Sequence, residues 1–399
     1  MNARTNLHQP ARVAPTTRSA FTLVEMLVVI SIIGILSALS IAAITSVIPR
    51  AKTAALRAEV QSLAEGIERY QSKYGDYPPD FMNWSIVERH YRKIFPDIAA
   101  SELQLLYRMC DDELDTSTDQ MTGTHPYDPT AMDRAEALIW ALGGYSSDPQ
   151  YPFTGVGGPL ALIPGATDTT NPALYHYNID RQNGMVDLDV QKLSLRKLDD
   201  SAGVTVANRI TTTDDLSLVD PFPVYRARED SAPYVYFDSR TYDGFVLVGG
   251  TQVMNGYSST VEGDADHVRP VLSDSVNPNA ATGGYGSYSN AVNAFLFMND
   301  RSFQVLSPGL DGRFGIVVDA NGGDGITDGS DDAPAYWQYP SGTLVIANPS
   351  ATTPGGLKSS TVTRYNITTS YSSTTVDTFE KDNLASFSQS TFDNDLPSQ

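Results

Sequence analysis

The chain has 399 residues, with 47 acids against 27 lysines and arginines, a formal charge of −20 and one cysteine, Cys110. That charge excludes a nucleic-acid surface, because nothing here could neutralise a run of phosphates. A single cysteine excludes an intrachain disulfide, so stability must rest on a core and on any bound metal.

The first element begins at residue 21. Residues 1–20 hold Arg4, Arg12 and Arg18 and no acid, and from Phe21 to Ile48 there follow 28 residues with one formal charge, Glu25. As a helix this run reaches about 42 Å, more than the roughly 30 Å hydrocarbon core of a bilayer. A secretory signal has a shorter apolar stretch, about 7–15 residues, with small residues after it. Here the small pair Ser19-Ala20 stands before the run. The pattern predicts a membrane-spanning helix, its arginine-flanked end in the cytoplasm and the rest of the chain exported. Glu25 is the discordant residue, since a carboxylate at the centre of a membrane helix costs about 2.5–3.5 kcal/mol. Either it lies close enough to the headgroups to be wetted, or it pairs with a cation when helices pack.

Ser19-Ala20 followed by Phe21-Thr22-Leu23-Val24-Glu25 resembles the processing and methylation site of type IV pilins and type II secretion pseudopilins, over residues 19–48. The family usually has glycine where this chain has Ala20. The resemblance implies that a prepilin peptidase cuts between Ala20 and Phe21 and methylates the new Phe21 amine. It further implies that Glu25 meets that amine on a neighbouring subunit as a filament assembles. The implied protein is a structural subunit of a type II secretion system, single-pass in a bacterial inner membrane, with its C-terminal domain in the periplasm. Its implied partners are copies of itself, other pseudopilins, the inner-membrane secretion platform and membrane lipid. The alternatives are a minor type IV pilin for adhesion or motility, and a tethered binding protein or hydrolase that uses a pilin-like leader for export.

Helical periodicity resumes past Pro49. Leu56, Val60, Leu63, Ile67, Tyr70 and Tyr74 are spaced by 4, 3, 4, 3 and 4, an apolar stripe on one face. Gly75-Asp76-Tyr77-Pro78-Pro79 ends it. Two more helices are predicted, Ile86–Met109 interrupted at Pro96, and Ala131–Leu142. Residues 145–180, rich in Gly, Pro, Tyr and Asp, read as loops. Short strands follow: "VYRAR", "PYVYFD", "FVLVGG", "AFLFMN", "FQVLS", "GIVVD" and "TLVIA". No crossover helices separate them, so an antiparallel sheet is expected.

The expected fold is therefore α+β and pilin-like: a long N-terminal transmembrane-plus-amphipathic helix packed on an antiparallel sheet, with additional helices and loops. The predicted divisions are a leader at 1–20, a membrane and assembly helix at 21–48, and its amphipathic continuation at 49–76. A globular body follows at 77–349, then a Ser/Thr-rich extension at 350–399.

Residues 307–332 hold six aspartates and seven glycines with one cation, Arg313. Calcium takes six to eight hard oxygens, and glycines let a short chain turn them inward. Asp319-x-Asn321, then Asp324 and Asp328, resemble a calcium loop with one extra glycine. Ser307, Asp311 and the pair Asp331-Asp332 resemble the C-terminal calcium loop of major pseudopilins, although the Asp pair lies further along than in that pattern. A structural Ca2+ is expected; the alternative is a hydrated acidic turn. None of the five histidines has zinc spacing, and no nucleophile elbow or phosphate loop is present. The chain is expected not to be an enzyme.

Overall fold

A computed structural model describes residues 22–110, 131–197, 210–212, 220–248, 251–261, 264–315, 334–359, 364–366, 371–373 and 382–395. The chain divides into two compact units, Met1–Ala51 and Lys52–Gln399. Helix α1, Leu23–Tyr74, has Pro49 inside it and contributes residues to both.

In the first unit the residues from Thr22 to Ser37 are exposed all round the helix. Leu23 is 81% exposed and Ile30 64%. Among the described residues no helix is long and apolar enough to cross a membrane; the described side chains of the apolar run stop at Ser37 and resume at Val47.

In the second unit the predicted stripe is the buried face of α1. Val60, Leu63, Ile67 and Tyr70 are 0–2% exposed, and each such side chain contributes about 1.5–3 kcal/mol relative to exposure. Glu65, Glu68 and Arg69 face solvent, with Arg69 and Glu65 paired at 3.4 Å one turn apart. The helix stops at Gly75, whose φ of +74° is left-handed. Its N–H donates to the Gln71 carbonyl at 2.7 Å, the closing bond that such a residue permits.

The predicted second helix is two: α2, Trp84–Ile94, and α3, Ala100–Tyr107. Pro96 separates them, as its missing N–H and ring require. Asn83 caps α2 by accepting from the Ile86 N–H at 3.2 Å. Helix α4, Arg134–Leu142, begins on a capping box in which Asp133 and Glu136 each accept the other's backbone N–H.

The strands form several small sheets rather than one. Phe303–Ser307 lies between Val235–Asp238 and Leu384–Ala385, antiparallel to both. A five-stranded sheet runs in the order Phe295–Phe297, Leu272–Val276, Ala335–Tyr339, Leu344–Ile346, Lys358–Ser359. Its second and third strands are parallel, with Leu272 opposite Gln338, and its other pairings are antiparallel. Five two-stranded sheets complete the described set.

Three expectations change. The stripe of α1 shares one core with residues of α2, α3 and α4 and with Tyr236, Phe303 and Val305 of the three-stranded sheet. In that core Tyr91, Tyr145 and Phe153 make T-shaped contacts at 5.1–6.1 Å, and Trp140 packs on Phe153 at 5.1 Å. "VYRAR" makes only the isolated bridges Leu193–Tyr225 and Arg226–Pro233. Residues 382–395 fold back on the body: Leu384–Ala385 supplies an edge strand and Phe392 stacks on Trp337 at 6.1 Å. "GIVVD" lies outside the described residues but for Gly315.

Candidate functional site

The N-terminal motif is described from Thr22 onward; Ala20 and Phe21 lie outside the described residues. Thr22 and Glu25 form a capping box at the start of α1. The Thr22 N–H and Oγ1–H both donate to Glu25 Oε2 at 2.8 Å. The Glu25 N–H donates to Thr22 Oγ1 at 3.2 Å. The Thr-x-x-Glu spacing dictates this geometry, because the first turn of a helix leaves its N–H groups without partners. The cost expected for a bare carboxylate is thus offset in part within the subunit. Glu25 Oε1 takes no donor among the described residues, which leaves one oxygen for a donor from outside the helix. One turn further on, Ser31 Oγ donates back to the Leu27 carbonyl at 2.8 Å, so that hydroxyl too is satisfied inside its own helix.

The acidic segment is described at its entry. Ser307 ends its strand fully buried, and its Oγ accepts from the Gly309 N–H at 3.4 Å. The turn that follows is held from two sides. Asp382 Oδ2 accepts from the N–H groups of Leu310 at 2.6 Å and Asp311 at 3.1 Å. Arg228 donates to the carbonyls of Leu310 at 2.8 Å and Asp311 at 3.3 Å. Gly309 has φ +73°, and a Cβ there would stand 2.5 Å from the Asp382 carbonyl oxygen, so only glycine fits.

Of the expected ligands, Ser307 and Asp311 share this turn, with the Asp311 carboxylate accepting from the Arg313 N–H at 2.9 Å. Asp319, Asn321, Asp324, Asp328, Asp331 and Asp332 lie outside the described residues. Asp382 belongs to no sequence motif and is brought here by the fold-back of residues 382–395. Its Oδ1 is buried and has no hydrogen-bond partner among the described residues. Burial pushes its carboxyl above the usual range, against the pull of the two backbone N–H groups. Among the described residues no group of three or more His, Cys, Asp or Glu could hold a metal ion.

A third cluster fixes the end of α1. Asp76 lies 3.6 Å from His90 Nδ1, 3.2 Å from Arg240 and 3.8 Å from Lys93. His90, then Arg240 and Lys93, hold its carboxyl down to about 2. Behind it the fully buried His90 bonds the Tyr70 hydroxyl at 2.8 Å. Burial is the main cause that lowers the ring's pKa. Arg240 also grips Asp238, which is 1% exposed. Nearby, Asp80 accepts from Thr241 Oγ1 at 2.5 Å and Asn255 Nδ2 at 3.4 Å. Tyr70, His90, Asp80 and Asp238 are at most 1% exposed, so the inner part of this cluster is a buried polar lock.

Residues 16–41 match the family described as the prokaryotic N-terminal methylation motif. No curated protein and no solved structure matches the chain. The motif marks a type IV pilin-like substrate of prepilin peptidase, with a membrane-anchored N-terminus.

Proposed function

We propose that the protein is a pseudopilin-like structural subunit of a type II secretion system, processed by prepilin peptidase and assembled into a periplasmic filament. The observation that carries this reading is the methylation motif at residues 16–41. It is joined by the Thr22–Glu25 box, which puts a carboxylate one turn from the new N-terminus. Residues 21–48 form a single span and assembly helix, and the second unit is the periplasmic body. The mechanism is mechanical. Lipid-embedded subunits stack through this helix, and the Phe21 amine of one subunit meets Glu25 of the next. The inner-membrane secretion platform and other pseudopilins are the partners.

Calcium binds the acidic segment in this account. Asp382 Oδ1, buried beside Asp311 with no hydrogen-bond donor among the described residues, is the described oxygen that best fits a cation. Ser307 and Asp311 flank the same turn. The acids from Asp319 to Asp332 supply further oxygens. The body is not catalytic, and bound calcium stabilises it by mass action.

Deletion of the gene is the discriminating experiment. Exported proteins should stall in the periplasm while surface pili remain. Intact export with lost pili favours the minor type IV pilin, and loss of neither favours a tethered binding protein.

A further inference from the structure

A cavity of about 40 Å³ lies in the second unit, where residues 267–271 meet the returning segment 382–395. Val271, Leu306, Phe314, Trp337 and Phe392 make most of its wall apolar. His267 and Asn383 also line it, and the Nε2 of one and the Oδ1 of the other are buried with no hydrogen-bond partner among the described residues. Asn383 as a whole is 5% exposed. The other polar atoms of both side chains are engaged. His267 Nδ1 lies 2.5 Å from Ser258 Oγ, and Asn383 Nδ2 donates to the Phe314 carbonyl at 3.1 Å. The backbone N–H of His267 donates to the Gly315 carbonyl at 3.0 Å. The two residues are thus anchored on consecutive carbonyls, which holds their unpaired atoms to one end of the same cavity.

We infer that one ordered water occupies this end and bridges His267 Nε2 to Asn383 Oδ1. It fastens the hairpin of Tyr257–Val261 and Asp264–Val268 to the returning segment, at the entry to the acidic segment. A buried water needs about 10–15 Å³ and two to four polar partners, and this cavity offers both. Small-molecule sites are larger, about 300–1,000 Å³. An ion fits less well. Asn383 Oδ1 only accepts and so turns an anion away, while Arg269 in the lining turns a cation away. Burial, then Arg269, hold the His267 ring far below its usual pKa, so the imidazole is neutral. A water donates to Asn383 Oδ1 and either donates to Nε2 or accepts from it, so it suits both tautomers of that ring. Two buried polar atoms left unpaired cost more than the confinement of one water.

Ala335→Val tests the sign of this account. Ala335 is 5% exposed, lines the cavity and shares a strand face with Trp337, so the added methyls enter it. In a dry cavity they would stabilise the chain. Here they displace the water and leave two atoms unpaired, which outweighs the burial of two methyls. The folding equilibrium constant of the full chain, from urea melts followed by tryptophan fluorescence, should fall about 5- to 30-fold. In an Asn383→Leu background only His267 Nε2 is left unpaired, and the same substitution should change that constant by less than about threefold. No loss in the wild-type background would mark a dry cavity, and an equal loss in both backgrounds would mark overpacking; either overturns the bridge. Diffraction from the full chain, at a resolution that orders solvent, should show one peak within hydrogen-bond reach of both atoms. An empty cavity, a peak bonded to one atom alone or a larger occupant would overturn it as well.

Discussion

The Thr22–Glu25 box makes a separable prediction about assembly. Glu25→Gln keeps a side-chain carbonyl that can accept from the Thr22 N–H, so the cap survives while the charge is removed. Hydrogen bonds to charged groups contribute about 1.5–3 kcal/mol against about 1 for neutral pairs. Loss of the charge should therefore cost about 1–2 kcal/mol per subunit contact, or about 5- to 30-fold in incorporation. Thr22→Ala leaves the charge and removes the hydroxyl that donates to Glu25 and accepts its N–H. An N-cap lost in this way costs about 1 kcal/mol, so incorporation should fall by no more than about fivefold. Quantitative immunoblots of sheared filaments against the membrane fraction would rank the three chains. If Glu25→Gln incorporates as well as wild type while Thr22→Ala does not, Glu25 is only a helix cap and the inter-subunit pairing is wrong.

Within the body, Ile67→Ala should destabilise the fold by about 2–5 kcal/mol, because Ile67 is fully buried. Exposed Glu65→Ala should stay within about 0.5 kcal/mol; urea melts followed by tryptophan fluorescence would show it, and equal midpoints would contradict the stripe. Acid should loosen the lock at the end of α1. His90 has a folded-state pKa below its unfolded value, so its contribution is complete above about pH 6.5 and is lost as pH falls below that. Burial pushes the Asp238 carboxyl up to about 7, and this group titrates the opposite way in the same window. Thermal melts at pH 7.5 and 5 should therefore show a smaller acid-induced loss for His90→Phe than for wild type, and an equal loss in the two would remove the His90 contribution. A chelator should lower the melting temperature of the full chain, and Asp382→Ala should remove that response. A melt that ignores both calcium and chelator would exclude the cation.

The helical half of the fold was legible because its signals are local. The stripe from Leu56 to Tyr74 has the period of a helix, Gly75 supplies the left-handed stop, and Pro96 divides α2 from α3. The Thr22-x-x-Glu25 spacing is equally readable as a cap, although the same residues also spell the processing motif. Much of the β structure was not legible. "YSSTV", "DADHV" and "LSDSV" are polar strands, defined by their pairing rather than by apolar alternation. The parallel pairing of Leu272 with Gln338 and the docking of Asp382 on Leu310 join segments more than sixty residues apart. No window of sequence displays such contacts. The motif at the front of the chain therefore reads far more clearly than the entry to the acidic segment.

Intact-mass and N-terminal peptide spectrometry of the protein from its native membrane tests the central claim most directly. The account predicts a chain that starts at Phe21 with one methyl group on its amine. A chain that still carries residues 1–20 and an unmethylated end would contradict it.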